Sequence, residues 1–324
     1  MRRREFIALI SGAAAWPRVG HAQQQVVIGF LSSRSPTESA LPLVAFRGGL
    51  KEGGFIENQN VVIEYQWADG HYGRLSSLAA GLVDRRVAVI VTGGGNPAAL
   101  AAKAATATIP IVFVIASDPV AEGLVASLNS PGGNVTGASL MAYMLDAKRV
   151  ELVHELLPQA TNIGMLLNPD HVIVNQQALD VETAARALRR TVSFVYARTE
   201  AEFEHAFSEL VRQRADALLV SADAFFLSRR DRLVELASRY RLPSVYPWRQ
   251  FAEAGGLLSY GASDLEGYRK AGIYAARILA GAKPSELPVQ QPTKFELVIN
   301  LQAARAFGLT IPPSLLARAD EVIE

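Results

Sequence analysis

The 324-residue chain has no cysteine. That excludes disulfides, thiolate zinc sites, iron–sulfur clusters, a cysteine nucleophile and a lipid-bearing N-terminal cysteine. Histidine is scarce too. His21, His71, His154, His171 and His205 stand apart, with no His-x-x-x-His or His-x-x-Glu pair, so no bound metal is expected. An excess of one charge is also lacking. The 32 Lys and Arg against 31 Asp and Glu leave a formal net charge of +1, which gives no electrostatic case for nucleic acid. No stretch reaches 18 consecutive apolar residues, so no membrane-spanning helix is expected. Gly-Lys-Ser/Thr, Gly-x-Gly-x-x-Gly and Gly-x-Ser-x-Gly are all absent. Their absence argues against a nucleotide P-loop, a dinucleotide fold and an α/β-hydrolase elbow. No cofactor is expected, and no enzyme activity.

What is present is a chain with 50% hydrophobic residues, enough for two domains with substantial cores. Its start reads as an address. Met1-Arg2-Arg3-Arg4-Glu5-Phe6-Ile7 is basic, Ala8 to Ala15 is a short apolar run, and Gly20-His21-Ala22 supplies small residues for a cut after Ala22. This is the three-part pattern of a secretory signal peptide over residues 1–22. Arg3-Arg4-Glu5-Phe6-Ile7 also has the twin-arginine look, so both the general and the twin-arginine export routes stay open. Taking the leader's four arginines and one glutamate from the net charge of +1 leaves −2 on the rest. A slightly acidic, exported monomer in the periplasm is expected, neither membrane-spanning nor lipid-anchored.

From Val26 onward, short β-branched runs alternate with helical patterns. Strands are read at 26, 61, 89 and 111, and again at 163, 192, 217 and 244, offsets of 137, 131, 128 and 133. Continuous apolar runs mark parallel strands covered on both faces. Near-constant offsets mean two copies of one βαβαβαβ unit. Asn96-Pro97 and Asp118-Pro119 each read as a helix start, with the polar residue as cap and Pro in the first turn. Each copy is expected to be a doubly wound parallel sheet, and the two to face each other across a cleft. The stretches near Val135–Ser139, Leu258–Gly261 and 287–293 are read as chain crossings that make a three-segment hinge. The lobes are then 26–137 plus 262–287 and 138–261 plus 288–324.

Open parallel sheets bind ligands beyond the C-terminal ends of their strands. Those ends carry Ser32, Ser33, Gly94, Gly95, Asn96, Ser117, Asp118, Asn168, Asp223, Tyr246, Trp248 and Tyr260. Hydroxyls and the N–H groups of the glycine loop suit a carboxylate, Asp223 suits an ammonium, and aromatic faces suit a flat apolar body. A small zwitterion or carboxylate fits this mixture. Taken singly, Ser117 and Asp118 also read as plain caps, the glycine loop as a tight turn, and Tyr246 and Trp248 as core.

The run Ser117-Asp118-Pro119-Val120-Ala121-Glu122-Gly123-Leu124, continuing to Pro131-Gly132-Gly133-Asn134-Val135-Thr136-Gly137, resembles the ABC-transporter substrate-binding protein family related to tryptophan- and tyrosine-binding proteins. Gly255-Gly256-Leu257-Leu258-Ser259-Tyr260-Gly261, Phe295 to Asn300 and Phe307 to Pro312 are similar to it as well. The resemblance implies a type I periplasmic binding fold whose lobes close on a small solute and deliver it to a membrane permease. It implies amino acids, aromatic ones foremost, or aromatic carboxylates as ligands. With no spanning helix and no P-loop here, the permease and ATPase are expected on separate chains. A receptor presenting its ligand to a membrane kinase is the alternative.

Overall fold

The computed structural model describes residues 25–171 and 173–324. The leader expected at 1–22 lies outside the described residues. The first half runs β1 (Val26–Ser32), α1 (Ala40–Glu52), β2 (Val61–Trp67), α2 (Leu75–Asp84), β3 (Val89–Gly93), α3 (Asn96–Ala105), β4 (Ile111–Ile115) and β5 (Val135–Ser139). After α4 (Asp146–Leu156) the pattern restarts with β6 (Asn162–Leu167), α5 (Val174–Ala187), β7 (Thr191–Tyr196), α6 (Phe203–Arg212), β8 (Ala217–Val220), α7 (Ala224–Ser228), α8 (Arg230–Arg239), β9 (Ser244–Tyr246), α9 (Arg249–Glu253) and β10 (Leu258–Gly261). The chain ends with α10 (Asp264–Leu279), β11 (Glu296–Asn300), α11 (Leu301–Ala306), α12 (Pro313–Leu316) and β12 (Glu321–Ile323).

Two sheets result, ordered β2-β1-β3-β4-β5 and β12-β11-β10-β9-β8-β6-β7. The segment β7-β6-β8-β9-β10 repeats the first sheet's order strand for strand. All pairings are parallel except β10 with β11. The duplication extends to packing. Gly29 in β1 leaves room for Leu82, and Gly164 in β6 leaves room for Leu210. A Cβ at either position would stand 2.9 or 2.5 Å from the leucine.

The helices that follow the fifth strand of each unit change places. Tyr268, Ala271, Tyr274 and Ala275 of α10 share a core with Ile28, Phe30 and Phe46 of the first lobe. Val150, Leu152, Val153 and Leu156 of α4 share one with Ile163, Met165 and Leu258 of the second. The chain therefore passes between lobes three times. The first two passages lie just beyond the segments read from sequence, and the third begins within 287–293. Val135–Ser139 is a fully buried strand, and the first crossing follows it at 140–145. Leu258–Gly261 is β10, with its crossing at 262–263. Gln290 still pairs with the first sheet at Ala138, so the third crossing begins after it.

The helix expected at Asp118-Pro119 does not form. The Pro119 carbonyl accepts the N–H groups of both Leu124 and Val125, and Gly123 at φ +68 breaks the helical course. A run of turns over 119–128 results.

The crossings are tied by a buried guanidinium. Arg149 on α4 is fully buried and donates to the carbonyls of Ala142 and Tyr260 at 2.9 Å each. It also pairs with Asp146 Oδ1 at 2.5 Å, and Gln177 donates to the other oxygen of that carboxylate at 2.6 Å. One cation thus joins the first crossing to the end of β10, with most of its bonds satisfied inside the protein, as a buried charge requires. Among the described residues, no helix is long and apolar enough to cross a membrane.

Candidate functional site

Strand order reverses at β1/β3 in one sheet and at β6/β8 in the other. The C-terminal ends of these strands meet across a narrow cleft with a cavity volume of about 20 Å³. The first lobe contributes Arg34 beyond β1, Tyr72, and Gly94, Gly95 and Asn96 between β3 and α3. The second contributes His171, Asp223, Ala224 and Trp248. Leu140 and Tyr143 come from the first crossing, and Asp264 and Tyr268 from α10.

The glycine loop is built by close approach. Gly94 has φ +75, and a Cβ there would stand 3.0 Å from the Ser33 nitrogen and closer still to its hydroxyl. The Ser33 hydroxyl donates to the Gly94 carbonyl, and the Gly94 N–H donates to the Tyr268 hydroxyl at 2.9 Å. Helix α3 begins at Asn96, so the first-turn N–H groups lie ahead of its own ladder and face the cleft end. The Asn96 side chain donates to Ser117 Oγ and to the Glu122 carboxylate, while its own oxygen is buried without a partner.

On the opposite wall Asp223 caps α7. Its Oδ1 accepts the N–H groups of Phe225 and Phe226 at 2.8 and 3.1 Å, and its Oδ2 accepts from Asn168 at 3.2 Å. Burial pushes its carboxyl upward, opposed by His171 at 3.9 Å and by the capped N–H groups. His171 Nε2 lies 2.5 Å from the Tyr143 hydroxyl, with the rings edge-on at 5.1 Å. Burial, then the charge of Asp223, holds the phenols of Tyr72 and Tyr143 well above their ordinary value, so both are neutral at pH 7. Five buried polar atoms of the lining residues lack protein partners: Arg34 Nε, Asn96 Oδ1, His171 Nδ1, Trp248 Nε1 and Asp264 Oδ2. In a folded protein water or a bound molecule completes the hydrogen bonding of such atoms.

Of the strand-end residues, Gly94, Gly95, Asn96, Asp223 and Trp248 line this cleft. Ser33, Ser117 and Asn168 stand behind it and hold Gly94, Asn96 and Asp223 in place. Four others lie elsewhere. Ser32 is buried, its hydroxyl accepting the Arg34 N–H at 3.1 Å. Asp118 accepts from Val120 N at 2.8 Å in its own turn, away from the lining. Tyr246 is core, its ring stacked on Phe251 at 4.6 Å. Tyr260 packs beside Phe295 and offers only its carbonyl, to Arg149.

Sequence reasoning missed Arg34, Tyr72, Tyr143, His171, Asp264 and Tyr268. Arg34 is the residue after Ser32-Ser33, one position past the strand end as read. Asp264 and Tyr268 sit four apart on one helix face, a spacing visible in the sequence but assigned there to no wall.

Two similar sheets, a triple crossing and a polar cleft at both switch points define a two-lobed binding protein of the type I periplasmic fold. The family model described as ABC transporter substrate binding protein matches residues 41–323, and the chain belongs to that family. A tyrosine-binding protein of Clostridioides difficile is 31% identical over 266 residues, covering 82% of this chain and 75% of that protein. A conserved domain protein of Vibrio cholerae superposes with a TM-score of 0.86 at 28% identity, covering 92% of this chain and all of that one. An ABC domain from Streptococcus pneumonia in complex with L-Trp gives 0.83 at 27%, with the same coverages. A ligand-free, open substrate binding protein with adhesive properties from Clostridium difficile gives 0.65 at 26%, covering 92% and 99%.

Proposed function

We propose that this protein is the extracytoplasmic solute receptor of an ABC importer. It is exported by its leader to the periplasm and passes its solute to a permease and ATPase on separate chains. The lobes that move are joined at the three crossings, at 140–145, at 262–263 and after Gln290. The solute is an amino acid, aromatic or other, or an aromatic carboxylate, and it is bound and released unchanged. One observation carries the reading: a cleft between two lobes where buried donors and acceptors without protein partners sit among Tyr72, Tyr143, Trp248 and Tyr268. Such a wall gives an apolar body contact area while a few polar groups fix its charged end.

Contacts across the cleft support closure as the working motion. Glu38 of the first lobe pairs with Arg229 of the second at 2.6 Å, and Gln250 of α9 donates to Asp264 of α10 at 2.6 Å. These exist only with the lobes together, so a ligand that adds contacts to both walls shifts the population toward the closed form. The better superposition on the L-Trp complex than on the open, ligand-free relative supports the same view.

The test is a thermal-shift screen of protein refolded to strip carried ligand, against amino acids, aromatic acids, sugars and nucleosides. A ligand at 100 times its Kd stabilises the native state by about 2.7 kcal/mol. A large shift with amino or aromatic acids is expected. A response confined to sugars or nucleosides refutes the ligand class, and turnover of a bound ligand refutes the receptor.

A further inference from the structure

Arg34 and Asp264 are both buried, with side chains 8% and 4% exposed, and their closest charged atoms are 3.9 Å apart, too far for a hydrogen bond. Each keeps an atom without a partner, Nε on Arg34 and Oδ2 on Asp264. The other carboxylate oxygen of Asp264 is taken by Gln250 from the second lobe at 2.6 Å. Two buried opposite charges that do not satisfy each other are costly unless other groups complete their bonding. Both line the cleft, beside the unpartnered Trp248 Nε1. Asp223, by contrast, spends both oxygens on Phe225, Phe226 and Asn168.

A free donor on a cation and a free acceptor on an anion, side by side, complement a molecule carrying both charges on neighbouring atoms. We infer that Arg34 and Asp264 read the head group of an α-amino acid, its carboxylate against the guanidinium and its ammonium against Asp264 Oδ2. The pair thereby favours amino acids over aromatic acids that lack the amine. This inference rests on the receptor reading above and narrows it. An acid without an amine leaves Asp264 Oδ2 unpaired and adds a second anion beside it. A zwitterion adds no net charge and closes a ring of alternating charges. Because Gln250 reaches Asp264 only across the cleft, the group that takes the ammonium is also one that the second lobe touches on closing.

Calorimetric titration of the refolded full chain with L-tryptophan and L-tyrosine, and with indole-3-propionate and 3-(4-hydroxyphenyl)propionate, tests this without any variant. The amino acid is expected to bind about 10- to 100-fold tighter than its des-amino partner, the loss that follows when a charged hydrogen-bonding group is left unpaired. In Asp264→Asn that ratio collapses toward one, through loss of amino-acid affinity with des-amino affinity unchanged or raised. In Arg34→Gln both ligands weaken. A purely structural role for Asp264 would lower the melting temperature and weaken both ligands equally, which overturns the inference. Equal or tighter binding of the des-amino acids by the unaltered protein overturns it while leaving the receptor standing. Binding of none of the four overturns it too, and a response in the wider screen then separates that failure from failure of the receptor reading.

Discussion

Loss of the contact between Glu38 and Arg229 should speed ligand release. Arg229 Nη1 donates to Glu38 Oε1 at 2.6 Å, and Arg229 Nε stands 2.9 Å from Glu200 Oε2 within its own lobe. Glu38 Oε2 also accepts the Ser35 N–H at 2.8 Å. Burial pushes the Glu38 carboxyl up, but the Ser35 N–H and hydroxyl and the Arg229 guanidinium outweigh it and hold the group below its ordinary value. Because the closed-state value is the depressed one, the contribution is fully present above the ordinary carboxylate range. It is lost as pH falls through the depressed value. A partly exposed, charge-assisted pair contributes about 1 kcal/mol, or roughly fivefold in an equilibrium constant. The perturbations are Glu38→Gln, Arg229→Met and the pair together. The assay is stopped-flow dissociation of the ligand found in the screen, followed by the fluorescence of Trp248. Each single variant should release ligand about fivefold faster, and the double variant little faster than the worse single, because one interaction is lost only once. The effect should shrink at high salt. Fully additive single effects, or a change confined to association, would refute the reasoning.

Other consequences are sharper in stability than in binding. Gly272 on α10 faces Gly49 on α1, and a Cβ at Gly272 would stand 2.1 Å from the Phe46 carbonyl oxygen. Gly272→Ala should therefore cost about 1–3 kcal/mol, read from the urea midpoint. Phe226 is fully buried against Phe203, 6.0 Å between ring centroids, and Phe226→Ala should cost about 3–5 kcal/mol in the same measurement. Asp216 accepts from Thr161 N, Thr161 Oγ1 and Asn162 N at 2.7, 3.1 and 3.0 Å. Burial pushes its carboxyl up, but those three bonds together outweigh it and hold the group below the ordinary carboxylate value. Asp216→Asn should lose about 1–2 kcal/mol at pH 7. The gap to the parent should vanish as pH falls through the depressed value, and a pH-independent difference would contradict the sign.

The repeat was legible because buried parallel strands write themselves as apolar runs, as at Val26 to Leu31 and Ile163 to Leu167. Short or weakly apolar pieces were not. Val135–Ser139 contains Thr, Gly and Ser and has the composition of a loop, yet it is buried because β4 pairs along its whole length. Asp118 looked like a helix cap and does accept N–H groups, but the helix it would start is cut short at Gly123. Of the strand-end residues, Gly94–Asn96, Asp223 and Trp248 reach the cleft lining. They failed where a side chain's direction decides: Tyr246, two residues before Trp248, points into the core and stacks on Phe251. Arg34 and Asp264 lie 230 positions apart and meet only because α10 returns to the first lobe. The lobe bounds read from sequence send 262–287 back to the first lobe, but no local signal pairs Asp264 with Arg34.

The exchange of α10 has a consequence for the order in which the molecule is made. The first lobe's core needs Tyr268, Tyr274 and Ile278 to cover Phe30 and Phe46. During synthesis those residues emerge after nearly the whole second lobe has left the ribosome. Until then the first sheet lacks a wall, and its aromatic face stays uncovered. Native contacts of such long sequence separation also form slowly. A nascent chain thus cannot complete its first lobe until α10 has emerged.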